Sequence, residues 1–152
     1  MTGATDHDLT VDERIAIEHQ LIQLNHAFAN HIDNGRFEEL IALFTEDGVF
    51  DRAGLVHRGH QEMREAFSQR PPVTTRHLLS NFYFDSVSRD AATGICYSLT
   101  YHAHGVFDGD PLVYGTTHGR LIDMHDQYRR TADGWRLAQR VAVPVLVPEG
   151  GP

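Results

Sequence analysis

At 152 residues, 41% of them hydrophobic, the chain is long enough to bury one core and too apolar for wholesale disorder. Its net charge of -8 argues against nucleic acid or an anionic membrane as partner. The single cysteine, Cys96, excludes an intramolecular disulfide, and no apolar run reaches transmembrane length. Residues 1–8 lack the basic start and apolar centre of a secretory signal, so the expected location is cytoplasmic.

Residues 11–33 read as an amphipathic helix. Asp12 is the candidate cap, and Ile15, Leu21, Ile22, Leu24, Phe28 and Ala29 form an apolar stripe at helical spacing. Asn34-Gly35 stops it, with Gly35 suited to a left-handed cap. A second helix is expected from Arg36 to Phe44, then a turn at Asp47-Gly48, a short strand from Val49 to Asp51 and another from Leu55 to His57. Gly59 to Ser68 reads as a third helix, ended by Arg70-Pro71-Pro72.

From Thr74 the pattern changes to β-branched and aromatic residues, predicting strands over 75–88, 93–106, 112–129 and 134–146. Asp90 with Gly94, Asp108-Gly109-Asp110 and Asp133-Gly134 supply the turns. Helices followed by a meander are an α+β pattern, best satisfied by a strongly curved, mostly antiparallel sheet wrapped around the first helix with one open mouth. Residues 11–147 read as a single domain, with 1–10 and 148–152 as flexible ends.

The residues with chemical potential are scattered, but this layout gathers them. Asp33 ends the first helix, where a negative charge opposes the helix dipole by about 0.3–1 kcal/mol. Local backbone groups at Asn34 and Gly35 could satisfy it as a turn residue, but a partner histidine gives its unfavourable position a purpose. His77 opens a strand, and His102 and His104 share one face of the next. If His77 points inward, strict alternation brings Leu79, Asn81 and Tyr83 with it. A carboxylate holding one imidazole, with a second imidazole nearby, is equipment for proton transfer.

Other chemistries lack their signatures. There is no Gly-x-Ser-x-Gly elbow, no Gly-x-Gly-x-x-Gly and no phosphate loop, so neither a serine nucleophile nor a nucleotide is expected. Cys96 reads as a small core residue. His102 and His104 could begin a metal site with His118 or His125, but those two have opposite strand parity; no metal or other cofactor is expected.

Several runs carry a resemblance: Asp33-Asn34-Gly35-Arg36-Phe37-Glu38-Glu39-Leu40, the Phe44-Thr45-Glu46-Asp47 turn, Gly59-His60, Thr75-Arg76-His77, and Tyr128-Arg129-Arg130 through Gly134-Trp135-Arg136-Leu137. By these the chain resembles the nuclear-transport-factor-2-like superfamily over residues 12–146, and within it the SnoaL-like branch that includes scytalone dehydratase. The resemblance implies an α+β cone with three N-terminal helices packed in a curved mixed sheet. It also implies a dyad of Asp33 and His77, with His102 as a second catalytic histidine. The tyrosine that positions water in scytalone dehydratase is replaced by Ile32, and its serine–asparagine pair falls near Ile122 and Met124.

Such a cone hosts dehydratases, isomerases, epoxide hydrolases, cyclases and non-catalytic binders. The expected activity is that of a cofactor-independent lyase or isomerase, dehydratase-like, acting on a small cyclic oxygenated apolar molecule. The alternatives are an epoxide hydrolase or cyclase, or a small-ligand-binding protein. Expected substrate contacts are Phe28, Asn81, Tyr83, His104, Tyr114 and Arg140. Apolar residues such as Val141, Val143 and Val145 suggest a homodimer or homotrimer through the outer sheet face.

Overall fold

The computed structural model describes residues 9–114 and 119–149. Most of the two ends expected to be flexible, and His118, lie outside the described residues. The first helix, α1 (Val11–Asp33), has the expected bounds but is capped two residues before Asp12. Thr10 is its cap: the Thr10 hydroxyl accepts from the Glu13 amide at 3.2 Å, and the Glu13 carboxylate accepts from the Thr10 amide at 2.8 Å. At the other end Gly35 takes φ +68°, the left-handed conformation that releases the chain.

The buried stripe of α1 is Ile17, Leu21, Leu24, Phe28 and Ile32, while Ile15 stays exposed. Burying a large apolar side chain stabilises by about 1.5–3 kcal/mol, so this stripe fixes how α1 sits in the sheet. The second helix, α2 (Phe37–Ile41), is shorter than expected, and Phe44 instead starts β1 (Phe44–Arg52). A turn leads to β2 (Leu55–Arg58) and then to α3 (Gly59–Ser68).

The long strands are β3 (Val73–Val87), β4 (Ala91–His104), β5 (Arg120–Thr131) and β6 (Gly134–Leu146). The expected start of the third long strand at 112 is not seen: residues 112–114 have no regular structure. One six-stranded sheet results, in the order β2-β1-β6-β5-β4-β3. β1 and β6 pair in parallel and every other neighbour is antiparallel. Closure of the sheet by this one parallel pair brings Phe44 and Phe50 against α1, in one core with Met63, Phe67, Trp135 and Leu137. The fold is thus the α+β cone: helices packed against a curved, mixed, mostly antiparallel sheet.

Inward positions on β4 are the even-numbered residues from Ala92 to His102, with Ala92, Gly94, Cys96 and Ser98 buried. Gly94 has no room for a side chain, since an added Cβ would lie 2.7 Å from both the Phe84 ring and the Tyr83 carbonyl. On the convex face Val143 and Val145 stand exposed, and Val141 is half-buried. No helix among the described residues is long and apolar enough to cross a membrane.

Candidate functional site

Two extended features converge at the wide end of the cone. The C-terminus of α1 presents Asp33, and Pro71-Pro72 straightens the chain into the first residues of β3, beside it. The His77 Nδ1 lies 2.6 Å from Asp33 Oδ1, and the His77 backbone N–H donates to Oδ2 at 2.8 Å. The hydroxyl of Thr75, two residues earlier on the same face, donates to Oδ1 at 2.8 Å. These three contacts answer the charge that the helix end leaves unfavourable.

Both side chains are largely shielded, at 11% exposure for His77 and 8% for Asp33. Burial pushes the Asp33 carboxyl up, but the hydrogen bonds and charge of His77, with the Thr75 hydroxyl, outweigh it and hold the group below its ordinary value. An ionised carboxylate only accepts, so the ring nitrogen facing it carries the proton. In the neutral imidazole the other nitrogen, Nε2, is then the unprotonated one and is left to accept.

What that ring faces is a cavity of about 360 Å³. Phe28, Ile32, Phe50, Ile122, Met124 and Ala142 supply apolar walls, and His77, Thr75, Thr100 and His102 a polar side. Thr100 lies opposite His77 and His102 opposite Thr75 in the β3–β4 register, which sets the two imidazoles diagonally on one inner surface. Arg52, Arg70 and Arg120 also line the cavity.

Of the residues singled out in the sequence, the structure thus brings Asp33, His77, His102 and Phe28 to one place. His102 and His104 share parity and both are exposed, but only His102 is among the residues lining the cavity. Tyr114 lines a different hollow, with Tyr101, Phe107 and Leu112.

Asn81 and Tyr83 are corrections. Ser80 pairs with Tyr97 and Tyr83 with Ile95, so one extra residue is accommodated between them, with Asn81 at φ +54°. The bulge reverses alternation. Phe82 turns inward to meet the His26 ring at 5.7 Å, and Tyr83 turns outward, 65% exposed.

Arg140 is likewise not a wall of the cavity. Its fully buried guanidinium pairs with Asp126 at 2.6 and 2.8 Å and with Asn25, and its Cζ lies 4.3 Å from the Phe28 ring centroid. The Tyr128 hydroxyl and the Asn25 amide complete this closed network, at 2.7 and 2.8 Å. Burial alone would lower the Arg140 pKa, but the Asp126 charge and hydrogen bonds more than reverse that. Cys96 beside it is pushed up to about 12 by burial, the behaviour of an inert core thiol.

Polar cavity residues not singled out as site residues in the sequence include Thr75, Thr100, Arg52, Arg70 and Arg120. Thr75 and Thr100 could have been found by parity, since each shares its strand face with a named histidine. Nothing local distinguishes Arg52 or Arg70 from surface arginines. Among the described residues, no group of three or more His, Cys, Asp or Glu is placed to hold a metal ion.

A curved sheet packed on its helices in this order is the α+β cone of a class of small proteins. The family model described as a SnoaL-like domain matches residues 13–141, and the chain belongs to that family. Among solved structures, it is similar to a protein of Novosphingobium aromaticivorans provisionally assigned as a scytalone dehydratase. The two share 19% identity at a TM-score of 0.72, over 90% of this chain and 89% of that one. A Streptomyces avermitilis protein, provisionally assigned as a dehydratase of the NTF2-like family, shares 26% identity at a TM-score of 0.66 over 88% and 99%. A third similar structure, from Novosphingobium aromaticivorans, is provisionally assigned as an aromatic ring hydroxylase, with 23% identity and a TM-score of 0.71 over 87% and 91%. A comparison with curated proteins returned no match.

Proposed function

We propose that the protein is a cofactor-independent lyase or isomerase of the dehydratase type, and that His77, oriented by Asp33, is its proton-transfer group. The observation that carries this reading is the engaged carboxylate. Asp33 receives three donors, two of them from His77 itself, and so is suited to fixing an imidazole. This favours an orienting carboxylate over one that activates water, and with it elimination over epoxide opening.

In the proposed reaction, Nε2 of His77 removes a proton from the carbon next to a carbonyl, and the electron pair flows into an enolate. His102 or Thr100 supplies a hydrogen bond to that developing oxyanion. The β-carbon–oxygen bond then breaks, and the departing hydroxyl takes back from His77 Nε2 the proton removed from carbon and leaves as water, which regenerates the neutral imidazole. Protonation at another carbon instead gives an isomerisation with the same groups. The apolar walls fit a cyclic body.

The test is solvent-deuterium incorporation and water loss, followed by NMR, across a panel of cyclic β-hydroxyketones and enones. His77→Ala is expected to lower the rate by about 10²- to 10⁴-fold, the usual worth of general acid–base catalysis. Asp33→Asn should cost nearly as much, and the double variant no more than His77→Ala alone, since nothing remains to orient. Undiminished rates in both single variants would overturn the proposal. Loss of ligand affinity with no turnover on any compound would favour the small-ligand-binding protein instead.

A further inference from the structure

The chain carries a net charge of -8, yet no aspartate or glutamate is among the residues lining the cavity, while three of its thirteen basic residues are. Elsewhere in the fold arginines meet carboxylates: Arg14 with Glu18, Arg64 with Glu38, Arg129 with Asp47, and Arg140 with Asp126. Arg52 differs. Among the described residues its side chain makes no hydrogen bond or ion pair, and its Cζ lies over the rings of Phe50 and Phe67, at 6.0 and 5.7 Å.

Arg70 is nearly as bare. Its Nη2 donates to the Thr75 hydroxyl at 3.3 Å, its Cζ lies 5.5 Å from the Phe37 ring centroid, and its Nη1 is shut from solvent with no partner among the described residues. Burial lowers the pKa of both guanidinium groups, and for Arg70 the charge of Arg52 lowers it further, partly offset by Asp33. Neither guanidinium is paired directly with a carboxylate; two half-buried like charges so placed are unfavourable, and such an arrangement is stabilised when an anion arrives.

We infer that the substrate of this site is an organic anion, an apolar ring bearing a carboxylate, with the carboxylate held by Arg52 and Arg70 at the mouth and the ring between Phe28, Phe50 and Met124. The planar fork of a guanidinium matches two carboxylate oxygens, which a neutral carbonyl cannot use. The anchor also lies close to the chemistry, because Arg70 contacts Thr75, which contacts Asp33. A carboxylate held there would present the carbons beside it to His77. This substrate class rests on the acid–base reading of the same cavity but is read by binding alone, so the two can fail separately.

The experiment is calorimetric titration of the intact protein with benzoate, cyclohex-1-enecarboxylate and 2-naphthoate, each paired with its primary amide. At least one carboxylate is expected to bind about tenfold or more tightly than its amide, the scale of one charge-assisted contact. Arg52→Met and Arg70→Met should each erase most of that preference, and Arg52→Lys should retain part of it. Melting curves identify any variant that fails to fold, in which case the wild-type carboxylate-to-amide ratio and its decline with added salt decide. Carboxylates binding no better than amides, absence of binding by both included, overturn the inference. So does a preference that survives in folded Arg52→Met/Arg70→Met. Neither result bears on the His77 and Asp33 rates, which test the acid–base reading independently.

Discussion

At the scale of single residues, the site turns on a carboxylate placed where a helix would rather not have it. Asp33 sits at the C-terminal end of α1, and its charge is answered by His77 and Thr75 instead of by the helix. Because these partners hold its pKa below the ordinary 3.8, the ionised group contributes stability that is complete above that value. The contribution disappears as pH falls through the lower, folded value. Asp33→Asn is therefore expected to lose about 1–3 kcal/mol of stability near neutrality, the worth of charge-assisted hydrogen bonds at a shielded site. The gap to wild type should close below pH 3.8. Urea melts of both proteins from neutral to acid pH check this; a gap that stays constant with pH would show that the carboxylate's charge is not what the pair uses.

At the scale of elements, alternation along strands is what made the site partly legible and also what misled. The parity of His77 with Thr75, and of His102 with Thr100, holds through the register of β3 and β4. Parity carries only as far as the strand stays regular. The bulge at Asn81 shifts the side chains of β3 by one position as far as Phe84, where a second irregularity before Ser86 shifts them back, so Phe82 enters the core and Tyr83 leaves it. Nothing in Ser80-Asn81-Phe82 besides the asparagine, a residue tolerant of positive φ, marks that break. Asn81→Gly should then be neutral or slightly stabilising, while Asn81→Val should cost about 1–2 kcal/mol through left-handed strain. Thermal unfolding of the two variants decides. Equal stability of the valine and glycine variants would mean the strand can straighten without penalty.

At the scale of the whole molecule, the order of helices and strands, and the motifs at their ends, were enough to read the cone. The family resemblance also implies a pairing of Asp33 with His77, and the structure sets them 2.6 Å apart. The cavity's arginines and the fate of Arg140 were hidden for one physical reason. Both depend on which long side chains meet across distant strands, as Arg140 and Asp126 do across β5 and β6, and periodicity within one strand carries no such information. Residues 112–114 were misread because apolar composition alone does not make a strand without a partner edge.

The central claim, that Asp33 fixes His77 with its outward nitrogen free to take a proton, is tested most directly by long-range proton–nitrogen NMR of the imidazole in the unliganded protein at neutral or higher pH. The account predicts that neutral His77 carries its proton on Nδ1, facing Asp33, with Nε2 unprotonated, and that Asp33→Asn abolishes this preference. A proton resident on Nε2, or the same Nδ1–H tautomer undisturbed in Asp33→Asn, would contradict it.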